Sequence, residues 1–201
     1  MKNRKRNRML GYDYSKDNLY FITICVQNKR CCFGNVVREG NEASTRELTV
    51  IQNHENQNQL SFNNHYKSIQ MQLNEYGSIA QKQWQWLGEQ YSYVKLHSFI
   101  IMPNHVHGII EINRNLVSDN SVKIKSISEL IGAFKTTTSK KIHLAGFTDF
   151  SWQRSFHDNI IRNKAAYNRI STYIETNADR WKGIVIEKQF DSKKFIDLKE
   201  L

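Results

Sequence analysis

Residues 98–110 read SFIIMPNHVHGII and place two histidines, His105 and His107, on either side of one apolar residue. The flanking residues are β-branched or aromatic, so the stretch predicts two strands joined by a tight turn at Pro103. Because side chains alternate between the two faces of a strand, both histidines point one way and Val106 points the other. Two neighbouring imidazoles on a rigid strand can bind one metal ion. The alternative interpretation is a pair of surface histidines on a half-exposed strand.

The residues next to the pair favour a functional site over a plain surface strand. Pro103 is the only proline in the chain and lies at the turn that directs the two histidines. Gly108 follows them directly, and a glycine inside a strand often marks the close approach of another backbone or of a ligand. The stretch therefore predicts a metal site to which His105 and His107 contribute.

The segment MPNHVHGII at 102–110 resembles the His-hydrophobic-His motif of the HUH endonuclease superfamily. Other segments follow in the order that one branch shows, the REP-associated tyrosine transposases: GYDY (11–14), YFITI (20–24), FK (134–135), WQ (152–153), IIR (160–162) and YI (173–174). This resemblance covers most of the chain outside residues 38–74. It implies a domain that cuts and rejoins single-stranded or hairpin DNA through a covalent 5′-phosphotyrosine, with Mg²⁺ or Mn²⁺ at the paired histidines.

Length and composition predict a single cytoplasmic domain. With 201 residues, of which 39% are hydrophobic, the chain is long enough to bury a core. No apolar run approaches the roughly 20 residues of a membrane span, and the basic N-terminus lacks the apolar segment of a signal peptide. The three cysteines lack zinc-site spacing and are expected to be reduced thiols. The sequence leaves the oligomeric state open between monomer and homodimer.

The charge balance indicates a nucleic-acid partner. The chain carries 29 Lys and Arg against 19 Asp and Glu, a net charge of +10. A basic arm, which commonly contacts phosphates, lies within the first eight residues: Lys2, Arg4, Lys5, Arg6 and Arg8. A solvated charge run is the alternative for this arm. Further DNA contacts are expected from Lys135, Lys140, Lys141, Arg154 and Arg162. Phosphate contacts of this kind position a strand without reading its sequence.

Hydrophobic periodicity predicts the order β-α-β-β-α-β followed by a final helix. Strands are expected at residues 19–26, 93–102, 105–112 and 152–162, and helices at 75–90, 126–142 and 163–181. Ser126 and Glu129 form a capping-box signature before the second helix. This order is typical of a ferredoxin-like α+β fold, with a four-stranded antiparallel sheet, two helices on one face and the histidine strand in the centre.

One segment departs from this pattern. Residues 38–74 contain a run rich in Asn and Gln, which predicts a poorly ordered insertion or an elaborated hairpin. Short strands at 48–51 and 69–73 are compatible with it. The preceding residues, 27–37, predict a loop or a short extra strand.

Tyr173 and Asn177 lie four residues apart in the last predicted helix and therefore share a face. Through YIETN at 173–177, the resemblance assigns the nucleophile to Tyr173 and a third metal ligand to the amide oxygen of Asn177. Relatives usually have a proline after this asparagine, where this chain has Ala178. A core tyrosine at the edge of the helix's apolar stripe is the structural alternative. Tyr167 ranks second as nucleophile, because six residues turn a helix by about 240° and point it elsewhere.

The ligand set leaves the metal open. Two imidazoles and an amide oxygen suit Mn²⁺, Co²⁺ or Zn²⁺, whereas the resemblance implies Mg²⁺ or Mn²⁺. Glu111 lies on the histidine face, and His157 and Asp158 lie on the last predicted strand. All three are at least as well explained as polar residues on the surface of the sheet.

Two other functions are compatible with parts of the sequence. A non-catalytic RNA- or DNA-binding module of the RRM type has the same element order and would use Tyr20 and Phe21 to stack on bases. The paired histidines would then have no role. A two-histidine metal hydrolase with water as its nucleophile would need a carboxylate base near the pair, and none is well placed in the sequence.

Overall fold

A computed structural model of the chain describes residues 11–39, 69–119, 121–182 and 184–187. Within these ranges the strands and helices follow in the order β1 (Asn18–Cys25), β2 (Gly34–Glu39), β3 (Ile69–Leu73), α1 (Glu75–Gln90), β4 (Val94–Met102), β5 (His105–Ile112), α2 (Ile127–Leu144), β6 (His157–Ile161), α3 (Lys164–Glu175) and β7 (Ile184–Glu187). None of the helices in this part of the chain is both long and apolar enough to cross a bilayer.

The main sheet has four antiparallel strands in the order β4-β5-β1-β6. The predicted ferredoxin-like α+β fold is therefore confirmed, and β5, which carries His105 and His107, lies in the interior of the sheet. β6 is shorter than predicted, because Trp152 forms only an isolated bridge with Val26. The predicted last helix is shorter as well, since α3 ends at Glu175 and a separate 3₁₀ turn, Ala178–Arg180, follows.

The helices α1 and α2 cover one face of this sheet. Their largest fully buried side chains include Trp84 and Phe134, which pack edge to face at 5.3 Å. Both helices begin at side-chain caps: Asn74 Oδ1 accepts from Gly77 N–H (3.0 Å), and Ser126 forms the predicted reciprocal capping box of α2. These caps satisfy backbone N–H groups that have no partner inside the helix.

Gly108 is needed for this packing. A Cβ at this position would lie 2.9 Å from Trp84 Cε2 and 3.0 Å from Phe99 Cβ. Gly108 was expected to mark the approach of another backbone or of a ligand, but the groups that lie close to it are core side chains, chiefly the indole of Trp84 in α1. The strand face that carries Gly108 and Val106 belongs to the helix layer, so the two histidines point to the opposite face.

The helix α3 packs on that opposite face. Its Ile174 forms a second apolar cluster with Ile109 of β5 and Ile161 of β6, and Phe21 and Tyr173 pack at its margin. The sheet therefore lies between two helical layers, with the histidines on the α3 side.

A second sheet of three strands has the order β3-β2-β7. β2 pairs antiparallel with β3 and parallel with β7. The strand at 69–73 was expected, and β2 corresponds to the short extra strand allowed after β1, whereas β7 was not predicted. The predicted insertion therefore begins at the end of β2 and ends at β3, and these two strands pair antiparallel. At its two ends, the insertion agrees with the predicted hairpin. The strand expected at 48–51 and the basic arm lie outside the described residues.

Candidate metal and nucleophile site

The turn between β4 and β5 is fixed by three backbone hydrogen bonds. Pro103 O accepts from the N–H groups of Cys32 (2.8 Å) and Phe33 (3.1 Å), and Asn104 O accepts from Val26 N–H (2.9 Å). Proline at this turn also restricts the backbone directly. The backbone after β1, at Val26, Cys32 and Phe33, therefore fixes where β5 starts and which way His105 points.

Asn104 fixes the orientation of the His105 ring. Its Nδ2 donates to Lys29 O (3.1 Å), so its Oδ1 is the atom that faces His105 Nδ1 at 2.7 Å. An amide oxygen can only accept, and His105 Nδ1 must therefore carry the proton. This tautomer leaves the lone pair of His105 on Nε2, as in a histidine held by a second residue for metal binding.

Thr23 plays the same part for His107. The two residues are paired in register between β1 and β5, and Thr23 Oγ1 lies 2.8 Å from His107 Nδ1. The ring stacks on Phe21, with 5.4 Å between the centroids. His107 Nε2 faces the Tyr173 hydroxyl at 3.3 Å. When Nδ1 donates to Thr23, the Nε2 lone pair points toward the tyrosine.

Burial keeps both imidazoles neutral. It lowers the pKa of His105 to about 4, with a hydrogen bond to the Asn177 side chain opposing the drop. It lowers the pKa of His107 to about 3, and the neighbouring His105 adds to the effect. Histidine must be neutral to bind a metal, so both rings are in the required protonation state at neutral pH.

Tyr173 and Asn177 complete the cluster from the α3 side. The Tyr173 ring lies edge-on to Phe21 (6.1 Å) and to His107 (5.3 Å between centroids). Part of the ring packs with Ile174 in the apolar cluster, but the hydroxyl is directed at His107. Asn177, which is only 7% exposed, follows the end of α3. Residues that lie far apart in the sequence are thus brought together at one site.

The donor set fits a divalent cation that accepts nitrogen and oxygen. The rings of His105 and His107 are 4.5 Å apart between centroids, and the Asn177 side chain is hydrogen bonded to His105. Among the described residues there is no cluster of three or more His, Cys, Asp or Glu side chains that would hold a metal. The oxygen that this cluster offers beside the two imidazoles is the amide oxygen of Asn177, a donor type that mixed nitrogen and oxygen sites for Mn²⁺ or Mg²⁺ accept.

Four further residues contact the site, and three of them (Thr23, Asn104 and Arg180) were not named as site residues from the sequence. Thr23 and Asn104 orient the histidines, the Arg180 guanidinium carbon lies 5.4 Å from the centre of the Tyr173 ring, and the Trp181 ring lies 6.1 Å from His105. Asn104 stands next to His105 in the chain and was open to inspection. Thr23 emerges only from the register of β1 against β5.

Tyr167 and Glu111 lie outside this cluster. Tyr167 Oη is 3.1 Å from His97 Nδ1, and Glu111 Oε2 is 2.7 Å from His97 Nε2. The prediction that Tyr167 and Tyr173 face different neighbours is therefore confirmed. On β6, His157 is exposed and pairs in register with Thr23, and Asp158 pairs with Ile22.

Three of the cations expected to contact DNA line one groove. Lys135, Lys140 and Arg154 line an open groove of about 720 Å³ between α2 and the segment before β6. The Lys135 ammonium group donates to Gln153 O (2.8 Å) and Ser155 O (3.1 Å). The groove is on the α1 and α2 side of the sheet, opposite the histidines. Lys141 and Arg162 are exposed outside it, and Arg4, Lys5, Arg6 and Arg8 lie outside the described residues.

Comparison with known proteins gives relatives at low identity. No family model matches the chain. A Haemophilus influenzae Rd protein described only as an uncharacterized protein is 28% identical over 191 residues, which cover 89% of each chain.

Two solved structures align with the chain at low similarity. A REP-associated tyrosine transposase bound to a REP hairpin aligns with a TM-score of 0.48 and 16% identity, over 90% of this chain and 74% of the other. A Deinococcus radiodurans R1 protein described provisionally as a transposase aligns with a TM-score of 0.40 and 13% identity, over 84% of this chain and 95% of the other. The function proposed for this chain rests instead on the residues of the site.

Proposed function

We propose that this protein is a metal-dependent tyrosine endonuclease that cuts and rejoins single-stranded DNA, as a transposase does. One observation carries the proposal: the Tyr173 hydroxyl lies 3.3 Å from Nε2 of His107, a buried and neutral histidine. If Tyr173 were only a core residue, any hydrogen-bond acceptor would satisfy its hydroxyl. Here the partner belongs to a pair of imidazoles whose other nitrogens are already held by Thr23 and Asn104.

In the proposed reaction Tyr173 Oη attacks the phosphorus of a phosphodiester. A bond forms between Oη and phosphorus, the bond from phosphorus to the 3′ oxygen breaks, and the departing 3′ oxygen takes up a proton. The product is a 5′-phosphotyrosine with a free 3′-hydroxyl, and attack by a 3′-hydroxyl on the phosphotyrosine reverses it. The covalent link conserves the energy of the broken bond for rejoining.

His105, His107 and Asn177 would hold Mg²⁺ or Mn²⁺ in this scheme. A bound cation supplies charge that stabilises the phosphate oxygens as the bond breaks. The protein contributes the rigid sheet, which fixes the two imidazoles, and α3, which brings the tyrosine to them. An unperturbed phenol has a pKa of about 10, so the site must also favour removal of the Tyr173 proton.

We expect the DNA backbone to be held by the cations named above: Lys135, Lys140, Lys141, Arg154, Arg162 and the arm with Arg4, Lys5, Arg6 and Arg8. The groove along α2 supports this, because three of these side chains line it together. Single-stranded and hairpin DNA are the substrates that the sequence resemblance implies.

Formation of the covalent adduct tests the proposal. The full chain is incubated with Mn²⁺ and a single-stranded hairpin labelled at its 3′ end, because that end stays on the protein in a 5′-phosphotyrosine adduct, and a denaturing gel resolves the labelled protein. Tyr173→Phe removes only the hydroxyl, so it should abolish the adduct while DNA binding stays nearly intact. Tyr76→Phe is the matched control, since Tyr76 packs against Phe147 in the helix layer. An adduct of normal yield in Tyr173→Phe would refute the proposal.

The RRM-type alternative is not supported by the sheet surface. Tyr20 is fully buried and its hydroxyl donates to Lys16 O (2.9 Å). Phe21 packs against His107 and Tyr173. The helix α3 therefore covers the face on which bases would stack. The hydrolase alternative is not supported either, because Glu111, on the histidine face, is hydrogen bonded to His97 and Asn113.

A further inference from the structure

The strand β4 has an irregularity at His97 and Ser98. Leu96 pairs with Ile110 and Phe99 pairs with Gly108, with a register shift between them. Two residues of β4 therefore stand opposite one residue of β5, Ile109. This is the arrangement of a β-bulge, which re-aims side chains and is common beside active sites.

The bulge turns two consecutive side chains to the same face. In a regular strand Leu96 and Phe99 would face opposite sides, because they are three residues apart. Both lie on the helix layer instead: Leu96 packs beside Gly88 of α1, and the Phe99 ring lies 6.1 Å from Trp84. The residues between them are left to the other face, where α3 lies.

Both of these residues bind α3. His97 Nδ1 lies 3.1 Å from Tyr167 Oη, and Ser98 Oγ donates to Glu175 Oε1 at 3.2 Å. Tyr167 lies in the first turn of α3 and Glu175 is its last residue. The bulge thus attaches to the helix at both of its ends.

Glu111 sets the direction of the hydrogen bond to Tyr167. Its Oε2 lies 2.7 Å from His97 Nε2, and its Oε1 accepts from Asn113 Nδ2 (3.2 Å). A carboxylate only accepts, so His97 Nε2 carries a proton, and in the tautomer with this single ring proton Nδ1 accepts from the Tyr167 hydroxyl. The side chains of His97 and Glu111 are only 15% and 22% exposed, so water competes little for these bonds.

We propose that the bulge at His97 and Ser98 positions the nucleophile by holding α3 at both ends, so that Tyr173 meets His107. This inference rests on the proposed role of Tyr173. The contacts of Ile174 with Ile109 and Ile161 attract the helix to the sheet, but apolar contacts are not directional. The two polar attachments flank Tyr173 and fix the rotation and the register of α3. A displacement of about 1 Å at a reacting group is enough to cost about 100-fold in rate.

The test separates rate from binding in four variants. Tyr167→Phe and Ser98→Ala each remove one attachment, and His97→Leu removes the central imidazole. At saturating DNA we expect the rate of adduct formation at Tyr173 to fall about 10- to 100-fold in His97→Leu and less in the two single-attachment variants. The DNA concentration for half-maximal rate and the affinity for Mn²⁺ should stay within about two-fold. His97→Gln, whose amide donates to Glu111 and accepts from Tyr167, should recover most of the rate.

Unchanged rates in both His97→Leu and Tyr167→Phe would overturn the inference, and so would a fall in His97→Leu that His97→Gln does not reverse. If the wild-type chain formed no adduct, the proposed function would fail, and the positioning role would be decided by hydrogen exchange of the α3 amides in the full chain. Faster exchange in His97→Leu and Tyr167→Phe, restored in His97→Gln and absent in Tyr76→Phe, would support it. Equal exchange in all variants would refute it.

Discussion

At the scale of single residues, the proposed site depends on two side chains that are neither its proposed ligands nor its proposed nucleophile. Thr23 and Asn104 each hold the Nδ1 atom of one histidine and so direct the other nitrogen, Nε2, toward α3. Such orienting partners also tune the affinity of a site for its metal. The sequence predicted the histidines themselves, because both lie in one strand. It did not predict Thr23, whose contact arises from pairing between distant strands.

The first prediction concerns Thr23. Thr23→Val keeps the shape of the side chain and removes its oxygen, so a buried ring nitrogen of His107 loses its partner. We expect the affinity for Mn²⁺, measured by calorimetry, to fall about 10- to 100-fold. Thr137→Val is the control, since Thr137 bonds only to the backbone of α2. Equal affinities for the two variants would show that Thr23 does not orient the ring.

The second prediction concerns the ligands. His105→Ala and His107→Ala should each abolish adduct formation and weaken Mn²⁺ binding, because each removes one of two imidazole nitrogens. Asn177→Ala should have a smaller effect, since water can take the place of its oxygen. Undiminished cleavage in excess EDTA would contradict a metal-dependent reaction.

At the scale of elements, the sequence predicted the bounds of those helices and strands that depend mainly on residues near one another in the chain. The bounds of α1 and β5 agree with the prediction, since both elements were recognised from patterns within their own residues. The helix α3 ends earlier than its pattern predicted. The chain leaves the helix at Thr176 and enters a 3₁₀ turn, which directs Asn177 toward His105. β7 escaped prediction because its pairing with β2 joins opposite ends of the chain.

The third prediction concerns the capping box of α2. Ser126→Ala removes the hydroxyl that accepts from Glu129 N–H, and loss of such a cap costs about 1 kcal/mol of unfolding free energy.

The effect of this variant should depend on pH. Hydrogen bonds from the backbone and side chain of Ser126 hold the pKa of Glu129 below its usual value. A lowered carboxyl pKa stabilises the fold above the pKa of the unfolded chain, and the stabilisation is lost as the pH falls through the folded value. Urea unfolding should therefore show a difference between wild type and variant that is full at neutral pH and shrinks in acid. A constant difference would contradict this account.

At the scale of the whole molecule, the cation-lined groove and the proposed cleavage site lie on opposite sides of the sheet. The groove with Lys140 and Arg154 borders α2, whereas Tyr173 and the histidines lie under α3. Composition and charge predicted a nucleic-acid partner from the sequence, but not this division, which follows from the packing of the helices. DNA that uses both must pass from one face to the other.

The fourth prediction concerns DNA affinity. The double variant Lys140→Gln, Arg154→Gln should bind single-stranded DNA more weakly and with a smaller salt dependence, by about 0.7 in slope for each phosphate that the variant no longer binds. Its rate of adduct formation at saturating DNA should be unchanged. Deletion of residues 1–8 tests the basic arm in the same way. Lys82→Gln, an exposed cation of α1, is the control. If the double variant matches this control, the groove does not bind the backbone.

The identity of the residue that becomes linked to DNA tests the central claim most directly. The wild-type chain is reacted with Mn²⁺ and hairpin DNA, the adduct is digested with nuclease and protease, and the modified peptide is sequenced by mass spectrometry. The account predicts a nucleotide joined through its 5′-phosphate to Tyr173 Oη. Among the described tyrosines, only Tyr173 has its hydroxyl hydrogen bonded to the histidine pair. A modification on Tyr167 or on any other residue, or cleavage without a modified peptide, would contradict it.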